Sequence, residues 1–179
     1  LDLGENKDVE AAAKAAQVPG VRWHFVGQLQ TNKARSVASY ARTVHSLDRP
    51  RLARALADGA RRAGRVVDVL VQVDLDVDGS ADSGRGGAAP AEVPALADLA
   101  AGLDGLRLAG VMAVAPLGVD PVAAFAQLAE VARDLRARHP EATGISAGMS
   151  GDLEAAVAAG ATYVRIGTAL LGHRPQVLR

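Results

Sequence analysis

Two short runs near the end of the sequence carry the residue types that hold an anion. Ile145-Ser-Ala-Gly-Met-Ser-Gly-Asp152 passes from a strand-like segment toward a helix start. Val164-Arg-Ile-Gly-Thr-Ala-Leu-Leu-Gly172 passes from the last strand-like segment into a turn or short helix. Small residues there let backbone N–H groups approach a ligand closely. A helix start adds unpaired donors and a dipole that favours negative charge. Both runs are therefore candidate phosphate-binding loops. The plainer alternative is that Gly148 and Gly167 make tight turns and Ser150 caps a helix. Two such runs in consecutive loops of a barrel favour the binding role. Arg165 is a further candidate: it interrupts the apolar run Tyr163-Val-Arg-Ile, where an arginine must be paired or face an opening.

The elements that must position these residues alternate along the chain. Strand candidates are Leu1–Leu3, Val21–Val26, Thr43–Leu47, Val66–Leu75, Leu106–Val114, Gly144–Ala147 and Thr162–Ile166. Several are continuous apolar runs, as expected for parallel strands buried on both faces. Helix candidates fill the gaps: Val9–Gln17, Pro50–Ala63, Ala91–Ala101, Pro121–Arg138 and Gly151–Ala159. Asp120 with Pro121, and Ser150, read as helix starts. This β-then-α order implies an α/β fold with a parallel sheet and right-handed crossovers. A (β/α)8 TIM-type barrel has eight strands and seven are counted. The expectation is a single barrel domain over residues 1–179, incomplete at its N-terminus and lacking the first βα unit. An open doubly wound sheet is the alternative. Asp76–Pro94, rich in Asp, Gly, Ser and Ala, is expected to form one long mobile loop.

Composition narrows the function classes. Apolar residues make up 49% of the 179 positions, enough for one sizeable aliphatic core. Net charge is zero, with 20 basic and 20 acidic residues, so neither nucleic acid nor an anionic membrane is an expected partner. Cysteine is absent, which excludes disulfides, thiolate catalysis and Cys-based metal sites. A cytoplasmic protein is expected, without a membrane span.

The remaining polar residues are less specific. Asn6, in Leu3-Gly-Glu-Asn-Lys7, could cap the next helix or touch a ligand, and capping fits the pattern better. His24, at the centre of Trp23-His-Phe-Val-Gly27, could line a barrel mouth or be a satisfied buried histidine, with the second slightly favoured. Gln30-Thr-Asn-Lys33 could start another helix. His45, Ser46 and Asp48 have the residue types of a hydrolase triad, but strand neighbours point to opposite faces and cannot align. Asp48 reads better as a cap. Asp74-Leu-Asp-Val-Asp-Gly79 copies half of a calcium loop, yet Arg85 stands where a bidentate Glu is required. No metal site is expected.

Taken together, Leu3-Gly-Glu-Asn, Trp23-His-Phe-Val-Gly, Leu29-Gln-Thr-Asn-Lys33, His45-Ser-Leu-Asp, Met149-Ser-Gly-Asp-Leu-Glu-Ala156 and Arg165-Ile-Gly-Thr-Ala-Leu-Leu-Gly172 resemble the pyridoxal-phosphate homeostasis proteins. These are barrels similar to the N-terminal domain of alanine racemase. The resemblance spans nearly the whole chain in order. It implies a bound pyridoxal 5′-phosphate, with Ser150, Gly167 and Thr168 on the phosphate and Arg165 near the pyridine nitrogen. Asn6 and His24 match family positions near the ring or the mouth of the site. The family's Schiff-base lysine sits on the first barrel strand, upstream of Leu3-Gly-Glu-Asn. None of Lys7, Lys14 or Lys33 stands in the equivalent place, so no catalytic residue is expected within the chain. Ala113 falls where the family often has Thr.

The implied function is a non-catalytic protein that buffers or delivers pyridoxal phosphate in vitamin B6 and amino-acid homeostasis. Its expected partners are the cofactor and the apoenzymes that use it, and a monomer is expected. An amino-acid racemase is the first competitor. Racemases of this fold take a tyrosine base from a second, β-rich domain, and the tyrosines here are Tyr40 and Tyr163. A barrel enzyme acting on a phosphorylated metabolite is the second. It would share the phosphate cradle, but no carboxylate pair or Lys–Glu pair at strand ends stands out to run it.

Overall fold

Six strands pair in chain order in a computed structural model that describes residues 1–76 and 86–172. They are β1 (Asp2–Glu5), β2 (Arg22–Phe25), β3 (Thr43–Leu47), β4 (Val67–Gln72), β5 (Leu106–Met112) and β6 (Gly144–Ser146). Every pairing between them is parallel. The order never reverses, which excludes the doubly wound alternative. The sheet is strongly curled. Tyr163, beyond β6, lies 5.9 Å from the ring of His24 in β2 and 5.6 Å from that of His45 in β3. A flat sheet would hold them several strand spacings apart, at about 4.8 Å each.

The seventh strand candidate, Thr162–Ile166, does not form a strand. It makes one parallel bridge, Ser146 with Tyr163. Tyr163 N–H donates to the Ile145 carbonyl (3.0 Å) and Ala147 N–H to the Tyr163 carbonyl (3.1 Å). The next bond then slips, because Arg165 N–H reaches Gly148 rather than Ala147. Gly148 has φ +88°, and this left-handed turn bends the chain out of the ladder.

Helices cover the outside: α1 (Asp8–Gln17), α2 (Ala34–Tyr40), α3 (Pro50–Arg62), α4 (Val93–Ala101), α5 (Pro121–Arg138), α6 (Leu153–Ala158) and α7 (Thr168–Leu171). None among the described residues is long and apolar enough to cross a membrane. Asp120 caps α5 as expected, accepting from Val122 N–H at 3.0 Å. Two other caps were misplaced by the sequence. The residue preceding α6 is Asp152, not Ser150, and that preceding α3 is Arg49. Asp48 instead accepts from Arg49 Nη1 at 2.5 Å. The run Gln30-Thr-Asn-Lys33 does lead into a helix, through a 3-10 turn at Thr31–Lys33. Its continuation α2 buries only the small side chains Ala34, Val37 and Ala38, so its apolar stripe is inconspicuous in the sequence.

Residues 77–85, with the second half of the calcium-like run and Arg85, lie outside the described residues. The rest of the expected long loop is tied to the sheet. Ala88 bridges Val73, Ala88 N–H donates to the Gln72 carbonyl (2.8 Å), and Asp74 N–H to the Ala88 carbonyl (2.9 Å).

The two faces of the sheet have opposite chemistry. On the convex face Val44, Val69, Val71, Leu108, Val111 and Ile145 join one buried apolar cluster with residues of α2 to α5, among them Leu56, Leu96, Phe125 and Leu128. Burying each such side chain stabilises the fold by roughly 1.5–3 kcal/mol. Alternate residues turn inward. The buried inner side chains are His24, Thr43, His45, Asp68, Leu70, Met112 and Ser146. Strands read as apolar runs are thus buried on both faces, but the inner face is largely polar. The Tyr163 ring fills space beside Gly144, where a Cβ would stand 3.3 Å from it. At one end of the curl Asp68 pairs with Arg107 (2.7 Å) and Arg42 (3.3 Å), and Asp2 with Arg22 (2.7 Å).

Burial first, and then the neighbouring His24 and Arg165, push the His45 pKa down to about 3. His45 is therefore neutral when folded, while the unfolded chain binds its proton below about pH 6.5. This contribution to stability is full above that value and is lost as pH falls toward 3. Urea midpoints should therefore drop between about pH 7 and pH 4, and drop less in His45→Gln; equal drops in both proteins would contradict a neutral buried His45. Gly148→Ala should cost about 2–4 kcal/mol, because the left-handed turn is strained for alanine and its Cβ would lie 2.6 Å from that of Ala156. An unfolding midpoint matching the wild type would contradict the role given to this turn.

Candidate functional site

β6 and the segment 162–166 end side by side, at the sheet edge where parallel barrels carry their ligands. The turn at Gly148 opens the first loop. Met149 N–H donates to Asp152 Oδ1 at 2.6 Å, and Asp152 N–H returns to the Met149 carbonyl at 3.2 Å. This closed turn leaves the N–H groups of Ser150 and Gly151 without a partner among the described residues. Both residues are exposed. The bond from Arg165 N–H to the Gly148 carbonyl (3.0 Å) brings the second run alongside the first. Gly167 follows, exposed, with its N–H also unpartnered among the described residues. A Cβ at Gly167 would meet nothing within 4 Å, so the approach to its backbone is open. The Gly167 carbonyl accepts from Leu170 and Leu171 at 3.0 and 2.8 Å, which starts α7 at Thr168. Ser150, Gly151 and Gly167 thus lie in neighbouring loops with N–H groups unpartnered among the described residues, and Thr168 follows at the start of α7.

Arg165 reaches inward from this rim. Nη1 donates to the Ser146 carbonyl (3.1 Å) and to Ser146 Oγ (2.9 Å). Nη2 donates to the Ala113 carbonyl at 2.9 Å. That last contact is to backbone, so alanine in place of threonine at 113 does not remove it. Burial pulls the Arg165 pKa down, partly offset by the field of Asp152. Among the described residues no carboxylate forms an ion pair with it. The guanidinium has five N–H donors and these contacts use three. Nε–H and one Nη2–H have no acceptor among the described residues.

His24 is buried and satisfied, as the residue pattern favoured. Its Nε2 lies 3.0 Å from Asp2 Oδ1 and its Nδ1 lies 2.8 Å from His45 Nε2. His45 Nδ1 in turn lies 2.9 Å from Ser146 Oγ. His24 is thus joined to Arg165 through two side chains rather than facing the rim. The rejected triad stays rejected: His45 pairs across the curl with Ser146, and Ser46 Oγ has no partner among the described residues. Neither His45 nor Ser146 was assigned a role from the sequence. They lie 101 positions apart, and only closure of the sheet brings them together.

Asn6 neither caps α1 nor joins this group. The residue preceding α1 is Lys7, and no side chain caps that helix. Asn6 is exposed and borders an open cleft of about 680 Å³ with Lys7, Phe25, Lys33 and Arg49. None of Ser150, Arg165 or Gly167 lines that cleft. Among the described residues no group of His, Asp and Glu could hold a metal ion.

Comparison with known proteins gives this chain its family. The family model described as alanine racemase, N-terminal domain, matches residues 3–175. The chain is 42% identical to the pyridoxal phosphate homeostasis protein of Corynebacterium glutamicum, over 97% of its own length and 80% of the relative's. It is 43% identical to the protein of the same name from Mycobacterium tuberculosis, covering 96% of this chain and 73% of that one. Among solved structures it is similar to PipY of Synechococcus elongatus with PLP bound, at a TM-score of 0.80 and 37% identity, covering 94% and 80% of the two chains. The alanine racemase of Clostridium difficile shares the fold at a TM-score of 0.74 and 15% identity, over 98% of this chain and 46% of that one. On these matches, and on a parallel curled sheet of the alanine racemase type, the chain belongs to the pyridoxal phosphate homeostasis protein family.

Proposed function

We propose that this chain binds pyridoxal 5′-phosphate and buffers or delivers it without turning over a substrate. Relatives carry the name pyridoxal phosphate homeostasis protein, and PipY has been solved with PLP bound. One observation in this chain carries the proposal. Arg165 is a partly buried cation without a carboxylate partner among the described residues, and it has two unspent donors beside loops with free N–H groups. A phosphorylated pyridine fits that set, an anion for the loops and a ring acceptor for the guanidinium. In this reading Ser150, Gly167 and Thr168 hold the phosphate. Arg165 donates to the ring nitrogen, His24 supports it from behind, and Asn6 borders the mouth.

The same residue argues against turnover. Bound pyridoxal phosphate supplies an electron-withdrawing ring, which is strongest when the ring nitrogen is protonated. An arginine has no acceptor and cannot take up that proton. A nitrogen facing Arg165 stays unprotonated, and the ring is a weaker electron sink. Such a site suits storage and transfer to apoenzymes. Tyr40 is a poor substitute for a racemase base. Burial and the neighbouring Asp8 carboxylate raise its pKa, and its hydroxyl lies 3.4 Å from that carboxylate. In this reading the chain is a cytoplasmic monomer, and its balanced net charge gives it no electrostatic hold on nucleic acid or an anionic membrane.

Titration of the protein with pyridoxal phosphate, followed by absorbance, should saturate. Arg165→Ala should weaken binding by roughly tenfold or more, as expected for losing charge-assisted hydrogen bonds. Incubation of the loaded protein with L-alanine should yield no D-alanine. Failure of the wild type to bind, or steady racemization, would contradict the proposal.

A further inference from the structure

Asp2, His24, His45, Ser146 and Arg165 form an unbroken hydrogen-bonded chain across the inside of the curl. Its two ends fix its direction. Arg165 offers donors alone, so Ser146 Oγ is an acceptor at that end. Asp2 offers acceptors alone, because the hydrogen bonds from Arg22 hold its carboxyl well below the usual carboxylate range. His24 Nε2 therefore donates to Asp2. A neutral imidazole has one donor, so His24 Nδ1 is bare and accepts from His45 Nε2–H. His45 Nδ1 is then bare as well, and accepts from the Ser146 hydroxyl. The Ser146 proton is thereby committed to His45, which turns the oxygen lone pairs to Arg165. An extra proton on His24 would reverse the bonds between the rings. Ser146 Oγ would then receive two donors while its own proton lost its acceptor. The neutral chain is the arrangement in which each of these protons has a partner.

We propose that His45 and Ser146 are positioning residues for Arg165, holding its guanidinium so that Nε–H and the second Nη2–H stay free for a heteroaromatic ring nitrogen. This rests on the reading of Arg165 given above. The side chains of this network act on the ring end of the ligand alone: Arg165 joins the two loops through its backbone N–H, and among the described residues no side chain of the network hydrogen-bonds to Ser150 or Gly167. A purely space-filling role for His45 would make no such distinction.

The direction of the chain is open to measurement without any ligand. Two-bond ¹H–¹⁵N spectra of the ¹⁵N-labelled wild-type protein at neutral to mildly alkaline pH report which ring nitrogen is protonated. Both His24 and His45 should carry the proton on Nε2; a proton on Nδ1 of either ring would overturn the proposal. Ligand titrations then test the consequence. Ser146→Ala and His45→Phe should weaken pyridoxal phosphate about tenfold, the scale of one lost hydrogen bond to a charged group. Inorganic phosphate, measured as a competitor, should bind as it does to wild type. His45→Gln, whose amide offers a donor and an acceptor, should recover most of the loss. Unchanged pyridoxal phosphate affinity, or an equal fall for inorganic phosphate, would overturn the positioning role. If the wild type bound no pyridoxal phosphate, the functional reading would fall and this role with it. Wrong tautomers in a protein that binds would overturn this role alone.

Discussion

A guanidinium drawn partly out of water, with no carboxylate to meet it among the described residues, is the constraint on which the site depends. Removing a charge from water costs several kcal/mol unless hydrogen bonds replace the lost hydration. Arg165 meets this with neutral acceptors from two strand ends, the Ala113 carbonyl beyond β5 and the carbonyl and hydroxyl of Ser146 in β6. A carboxylate would have neutralised the cation and closed the site. Neutral acceptors leave the charge in place and donors unspent.

The fold serves that arrangement by dividing its labour between faces. The convex face supplies stability through aliphatic packing under the helices. The concave face can then carry histidines, a serine and ion pairs that an all-apolar barrel interior would exclude. Closure matters as much as packing. The curl brings β2 and β3 opposite β6, so that a side chain near the start of the chain supports one near its end. Gly148 sits where these demands meet. It ends the ladder, turns the backbone toward the rim and lets the loop pack on Ala156 of α6.

Much of this was legible in the sequence, for local reasons. The two small-residue turns, the αβ alternation and the start of α5 follow from small residues, periodicity and a cap, which all act over a few positions. Arg165 was conspicuous because a charge in an apolar run needs an explanation. The seventh strand was misjudged because Tyr163-Val-Arg-Ile has strand composition, while its pairing depends on where β6 bends. Ser150 and Asp48 were misread as caps because a cap is a geometry, and Asp152 and Arg49 occupy those positions instead. The role of the His45–Ser146 pair was invisible for another reason. Residues on the inner face of a curled sheet meet partners set by closure, which no window of sequence contains.

The central claim is that Arg165 faces an unprotonated ring nitrogen. Pyridoxal phosphate labelled with ¹⁵N at that nitrogen, bound to the wild-type protein, tests it most directly. The expected result is a ¹⁵N resonance of an unprotonated, hydrogen-bonded pyridine that stays constant from mildly acidic to mildly alkaline pH. A resonance of a protonated pyridinium at neutral pH would contradict it.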